Sequence, residues 1–483
     1  MQTITQNTTY LMFASVVQKI LTFGYFIFVA RIIGDINLGK YVFALSFTVI
    51  FSVFIDLGLN QVLIREVAKC KEKIIIYLSN IFIFKISASV ICFLIMILII
   101  NLLNYPLETK ILVYWAGGIM ILDCLNSTFY AVWRGLQNLK YEAIGIIIYQ
   151  GLAVLFGVAV LLLKLPLYTL ILVLILGGLA NFLFALITLR KKALIFPKVI
   201  LFDKKIILLL LKITIPFSFA IIFSRILGYS DIILLSVLTN DRNVGIYSAA
   251  FKLTFALQFI PGIFAASLFP AFSKYFISSK EQLIYIFEKA VVYLCFIVLP
   301  ISVSSIILGD KIILGIYGLE FIDSILVLKI LMIGLFFIFL SYVIIPFLNG
   351  CNKEVVSTTI LGIGMAISIV LNLIFIPIYG YIGAAWTATI VPIIMFCLFL
   401  FWINKIFSES IESILKRKEL IQKILKSIFA AAIMGLFIFY LKSTVLWFVL
   451  IFLGLVFYAI ILFLTRAITL NEIKLIWEKM GKR

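Results

Sequence analysis

Histidine is absent from this chain of 483 residues. That excludes His-based catalytic triads, His-ligated metal centres and imidazole proton shuttles. The six cysteines, Cys70, Cys92, Cys124, Cys295, Cys351 and Cys397, stand singly with no C-x-x-C pair. Neither a zinc knuckle nor a disulfide framework is therefore indicated, and they read as small apolar packing residues. Charge is scarce as well: charged residues are 13% of the chain and hydrophobic residues 65%. A soluble globule is about half apolar and about a quarter charged. So little charge cannot cover a water-facing surface, and most of the chain must face lipid. No Walker-type phosphate loop and no D-x-D pair occurs. The start, Met1-Gln2-Thr3, lacks a basic segment before its first apolar stretch, so no cleaved leader is expected.

What is present is a series of long apolar runs. A membrane helix needs about 20 apolar residues. Fourteen runs meet that need, near 10–33, 39–59, 75–103, 111–133, 143–163, 167–189, 213–238, 244–273, 285–309, 324–348, 355–378, 380–403, 423–441 and 446–465. They are continuous rather than alternating, which excludes a β-barrel. The expected class is an all-α polytopic membrane protein with about 14 transmembrane helices.

The net charge of +19 reads as membrane topology rather than nucleic-acid binding. Of the 40 Lys and Arg, 28 fall beyond even-numbered runs or in the C-terminal tail, 8 fall beyond odd-numbered runs, and four (Lys19, Lys85, Arg225, Lys252) lie inside runs. By the positive-inside rule both termini are expected in the cytoplasm. The most basic connections, 198–212 and 405–426, read as amphipathic pieces on the inner membrane surface. They divide the chain into a six-helix lobe at 1–190, a second at 204–403, and two additional helices with a tail at 420–483.

An internal repeat supports two pseudo-symmetric six-helix lobes. Asp35-Ile-Asn37-Leu-Gly39-Lys-Tyr41 recurs as Asp241-Arg-Asn243-Val-Gly245-Ile-Tyr247, an offset of 206 residues. The same offset pairs Leu21 with Leu227, Ala44 with Ala250, Thr48 with Thr254, and Lys19 with Arg225. Asp and Asn before Gly suit a tight turn that caps the next helix. Repeated bundles with a site between them are the architecture of alternating-access transporters.

Further motifs are Arg31-Ile-Ile-Gly34, Asp56-Leu-Gly58 through Arg65-Glu66, Asp231-Ile-Ile-Leu-Leu-Ser236, Tyr317-Gly318-Leu-Glu320-Phe321 and Tyr379-Gly380-Tyr-Ile-Gly383. In this order across fourteen helices, the chain resembles the polysaccharide flippase family. That family includes O-antigen and teichuronic-acid type exporters and belongs to the multidrug/oligosaccharidyl-lipid/polysaccharide exporter superfamily. The resemblance implies a V-shaped pair of lobes that carry a polyprenyl-diphosphate-linked oligosaccharide from the inner to the outer leaflet of a prokaryotic cytoplasmic membrane. It also implies a transporter, not an enzyme, with no cofactor. Its partners would be membrane lipids and the glycosyltransferases or polymerase of the same pathway.

Charges inside the runs carry the remaining information, since a basic side chain at mid-membrane costs about 2.5–3.5 kcal/mol. Lys19 and Arg225 occupy one repeat position and are expected to face each other across the cleft, where two cations suit a diphosphate. Lys252 and Lys85 either join such a site or pair and snorkel locally. Arg31 and Lys40 flank the first outer turn, where they are placed to meet phosphate at exit. Asp231 reads as a coupling-ion ligand or a counter-ion. Asp123 is a candidate partner for Lys85, and Asp56, Arg65 and Glu66 read as fold-specifying contacts. Two alternatives remain: a drug/cation antiporter of the same superfamily, and a membrane enzyme of glycan assembly. Basic groups in place of acidic ones, and the two added helices, weigh against the antiporter. The absence of a sizeable external domain weighs against the enzyme.

Overall fold

The computed structural model describes residues 2–197, 202–407 and 418–467. Those residues are helical throughout, joined by short turns, with no strand among them. Thirteen of the helical segments are long and apolar enough to cross a membrane. The first of these, Thr9–Asp56, runs for 48 residues, about 72 Å of helix against a hydrocarbon layer of about 30 Å. It lies within α1 (Gln2–Asp56), which is broken at Gly34 (φ 76°, ψ 177°). Only glycine adopts that conformation without strain, so the break falls there and divides the segment into two spans. The fourteen expected spans are thus all present, and the all-α polytopic class is borne out.

The chain forms two compact units: residues 1–248 with 372–380, and residues 249–371 with 381–483. In the first, α3 (Ile74–Leu102), α4 (Leu107–Gly135), α5 (Lys140–Leu162) and α7 (Lys204–Leu238) pack on α1, α2 (Leu59–Lys69) packs on α3, α4 and α7, and α6 (Tyr168–Thr188) on α4 and α5. The amphipathic spacing of Leu59, Val62, Leu63 and Val67 turns one face of α2 onto Ile74 and Leu78 of α3 and Phe129 to Trp133 of α4. Beyond that core α3 shows two faces. Lys85, Ser89, Cys92 and Met96 are buried, whereas Val90, Ile91, Leu94 and Leu98 are exposed, as suits a lipid-facing surface.

Two expected elements differ in detail. The amphipathic piece at 198–212 is not a separate surface helix over its described part. From Lys204 onward it is continuous with the span of α7, and Asp203 caps it by accepting from the Lys205 amide. The expected run 244–273 is two helices, α8 (Asp241–Leu257) and α9 (Phe259–Ser278). Pro261 has no N–H to bond the Leu257 carbonyl, so the ladder breaks at Gln258. Residues 198–201 of the first basic connection, residues 408–417 of the second, and the tail from 468 lie outside the described residues.

In the second unit α12 (Ser324–Gly350) is central, packed by α9, α10 (Lys280–Ile307) and α14 (Tyr381–Phe407). Phe347 of α12 is met edge-on by Phe272, with ring centroids 5.4 Å apart, and at a tilt by Phe287, with centroids 4.5 Å apart. α15 (Lys418–Leu441) packs on α10 and against α16 (Trp447–Leu464). Between the runs ending near 309 and starting near 324 lies a short helix, α11 (Gly309–Ile316), whose Asp310 pairs with Lys442 at 2.7 Å.

Lys85 is 0% exposed, and its ammonium is held by three acceptors. Asp56 Oδ1 lies at 2.5 Å, Asn60 Oδ1 at 2.8 Å and Thr128 Oγ1 at 2.8 Å. Three N–H donors thus meet three oxygens, which is what a buried lysine requires. Its carboxylate partner is Asp56 at the end of α1, not Asp123, which is exposed on α4. Removing one member leaves a charge uncompensated. Lys85→Met is expected to lower stability by about 3 kcal/mol or more, and adding Asp56→Asn to restore a good part of it. Thermal unfolding of the detergent-purified single and double variants measures both.

Candidate functional site

The repeat motif builds a paired structure at the Gly34 break. Asp35 Oδ1 accepts from the Ile36 amide at 2.8 Å, and the Asn37 amide donates to the Ile33 carbonyl at 3.0 Å. In the second copy the cap is Asn240, one residue ahead of the motif, which accepts from the Asn243 amide at 3.0 Å. The two turns meet through their glycines. A Cβ placed on Gly39 would collide with the Asp241 carbonyl, and one on Gly245 with the Asp35 carbonyl. The contact is reciprocal, so each copy of the motif presents its Asp carbonyl to the glycine of the other. An ion pair at 2.9 Å between Arg242 and Asp35 ties the turns together.

Nearby, Lys40 pairs with Glu108 of α4 at 2.5 Å. Tyr105, between α3 and α4, shares a 2.8 Å hydrogen bond with Ser236 and stacks on Phe43 at 4.8 Å. Burial pushes the Tyr105 phenol up to about 12 despite the opposing Ser236 bond, so it stays protonated at any physiological pH.

The charges singled out in the sequence separate into kinds. Arg225 is exposed within the Ser218–Leu238 span and makes no hydrogen bond or ion pair with any described residue. Lys19, its repeat mate, is exposed on α1, which packs against α7. Arg31 is exposed just before the Gly34 break, and Lys252 is half-buried on α8 in the second unit. Asp231 is 7% exposed on α7. Tyr247 Oη donates to its Oδ2 at 2.9 Å and Asn372 Nδ2 to its Oδ1 at 2.6 Å. Tyr247 is the last letter of the repeat motif, a signal present in the sequence. Asn372 comes from α13 (Glu354–Tyr379), and nothing in the sequence pattern linked it to Asp231. No cluster of metal-ligating side chains occurs among the described residues.

A family model described as polysaccharide biosynthesis protein matches residues 4–276, more than half of the chain. The chain belongs to that family. It is 26% identical over 409 residues to an uncharacterised membrane protein of Methanocaldococcus jannaschii, covering 78% of this chain and 79% of the relative. Among solved structures its fold matches the lipid II flippase MurJ in an inward closed conformation. The TM-score is 0.76 at 19% identity, covering 93% of this chain and 97% of MurJ. It also matches an inward-facing multidrug resistance MATE transporter of the MOP superfamily, with a TM-score of 0.66 at 14% identity over 82% of this chain and 96% of that one. Identities this low speak for the fold. The fold is that of the multi-pass membrane proteins it matches, a flippase and a multidrug transporter.

The reciprocal glycine contact yields a prediction. Cysteines replacing Asp35 and Arg242 are expected to crosslink readily. Adding Gly39→Ala or Gly245→Ala, with an overpacking cost of about 1–3 kcal/mol, is expected to cut the yield about fivefold or more. Gel mobility under oxidising and reducing conditions reads this out.

Proposed function

We propose that the protein is an alternating-access flippase that carries a polyprenyl-diphosphate-linked oligosaccharide from the inner to the outer leaflet of a prokaryotic cytoplasmic membrane. The observation that carries this reading is Arg225, an exposed guanidinium inside an apolar span with no protein partner among the described residues. Such a side chain costs about 2.5–3.5 kcal/mol in hydrocarbon, so it faces water or an anionic cargo. Lys19 is its repeat equivalent on a neighbouring helix, and two cations match a diphosphate, with the planar Arg fork binding it bidentately. Lys252 and Arg31 extend the path as further phosphate contacts. The repeats at 1–190 and 204–403 act as the moving lobes, and the two helices from 420 onward are accessory. The name of MurJ, a lipid II flippase, supports a lipid-linked cargo.

Asp231 is assigned the coupling ion. Its carboxylate is held by a hydroxyl and a side-chain amide. Rotation of the Asn372 amide would present an oxygen beside it, giving a monovalent cation two or three oxygen ligands. A single carboxylate suits one positive charge.

Charge reversal tests the cargo site. Arg225→Glu is expected to abolish export while leaving membrane abundance unchanged, and Arg225→Lys to retain part of it, because charge remains without the bidentate fork. Surface glycan, or leaflet transfer in vesicles, measured beside protein abundance decides. Normal export by Lys19→Ala and Arg225→Ala variants overturns the assignment. The orientation is tested by single cysteines: positions near 110, 241 and 315 label from outside, and positions near 71 and 415 only after permeabilisation.

A further inference from the structure

We propose that a groove at the end of the first helical unit is a binding site for the phosphate of an anionic glycerophospholipid headgroup, separate from the cargo path. Three connections form it. Lys71 and Glu72 come from the turn between α2 and α3, Trp133 and Asn138 from the end of α4 and the link that follows, and Lys192 and Leu194 from the end of α6. Its volume is about 430 Å³, within the range of about 300–1,000 Å³ typical of small-molecule sites.

Chemistry and placement agree on the ligand. Lys71 and Lys192 are exposed on the rim, and Asn138 adds an amide donor. Trp133 is 3% exposed, and its indole N–H has no acceptor among the described residues. A sealed donor without an acceptor is costly, and a phosphate oxygen would supply one. The single carboxylate of the groove, Glu72, opposes an anion and is outnumbered by the lysines.

The three connections follow the second, fourth and sixth expected spans, so they emerge on one face of the membrane whichever face that is. They belong to the set that holds 28 of the 40 basic residues. Basic pockets between membrane helices at that level hold anionic headgroups. Leu194, in left-handed backbone at φ 56°, is 83% exposed directly beside Lys192. An apolar side chain held outward next to a cation matches the boundary between headgroup and acyl chain. The helix end carrying Lys192 is a π-turn, Leu189–Ala193, and Arg190 within it covers the Phe196 ring at 5.8 Å.

The test uses the full-length protein, purified and stripped of lipid. Phosphatidylglycerol in mixed micelles is expected to raise its melting temperature and to be retained in native mass spectra. Phosphatidylcholine is expected to do neither. The Lys71→Gln/Lys192→Gln variant changes only exposed side chains and is expected to bind phosphatidylglycerol about 30-fold more weakly, at about fivefold per lysine. Trp133→Phe keeps the ring beside Tyr141 and removes the donor, for a loss of about tenfold. Glu72→Gln is expected to tighten binding about twofold or more. Equal retention of phosphatidylglycerol by wild type and the double-lysine variant overturns the site. Equal protection by millimolar inorganic phosphate, with the same lysine dependence, overturns the lipid as its source.

Discussion

Hydrocarbon offers a charged side chain no solvation, and the internal structure of this protein is organised by how each intramembrane charge meets that constraint. Lys85 meets it by complete internal pairing, with three donors on three oxygens. Nothing is left over for a ligand, so the lysine ties α3 to α1, α2 and α4. Asp231 accepts from a hydroxyl and a side-chain amide, groups that carry no formal charge. Arg225 is satisfied by no described residue at all and stays exposed. The three lie on a scale from closed to open, and the proposed cargo site sits at the open end. Burial alone would have ranked them in the opposite order.

The repeat carries both symmetry and its breakdown. Gly39 and Gly245 play the same part, each admitting the Asp carbonyl of the other copy. Backbone contacts of this kind tolerate no side chain, which is why the glycine is kept in both halves. The ion pair that accompanies them has one member from each copy, Asp35 and Arg242, but the second pair expected from symmetry is absent: the residue equivalent to Arg242 is Ile36. The same divergence marks Asp231, whose counterpart in the first half is Tyr25. The carboxylate was placed in one half only. An ion bound there would act on a single lobe and bias a symmetric scaffold in one direction.

The fold was largely legible in the sequence because membrane helices announce themselves by length and hydropathy, and the repeat by spacing. Detail failed where tertiary contacts decide. Asp123 was the expected partner of Lys85 and Asp56 was read only as a fold-specifying contact; the geometry of the α1 end pairs Lys85 with Asp56 instead. The break between α8 and α9 lay in a run whose composition looked uniform, although Pro261 marked it. Asn372 was out of reach because its tie to Asp231 spans 141 residues and Asn372 belongs to no motif. Arg225 and Lys19 were found because charge in an apolar run is rare, and rarity is a signal that one sequence supplies.

The basic excess also acquires two meanings. Most of it fixes topology, a role that needs only position relative to the helix ends and no partner. That role is served equally well by any arrangement of lysines along a connection. It does not account for a groove that gathers lysines from two separate connections beside a buried tryptophan. Topogenic charge acts while the chain is being inserted, before those connections meet. A convergence that exists only after folding must act on the folded protein, and at the level of the headgroups the anions available in quantity are phosphates of the lipids themselves. A headgroup bridging the connections after α2, α4 and α6 would brace the helix ends of the first unit against one another without reaching the charges along its spans.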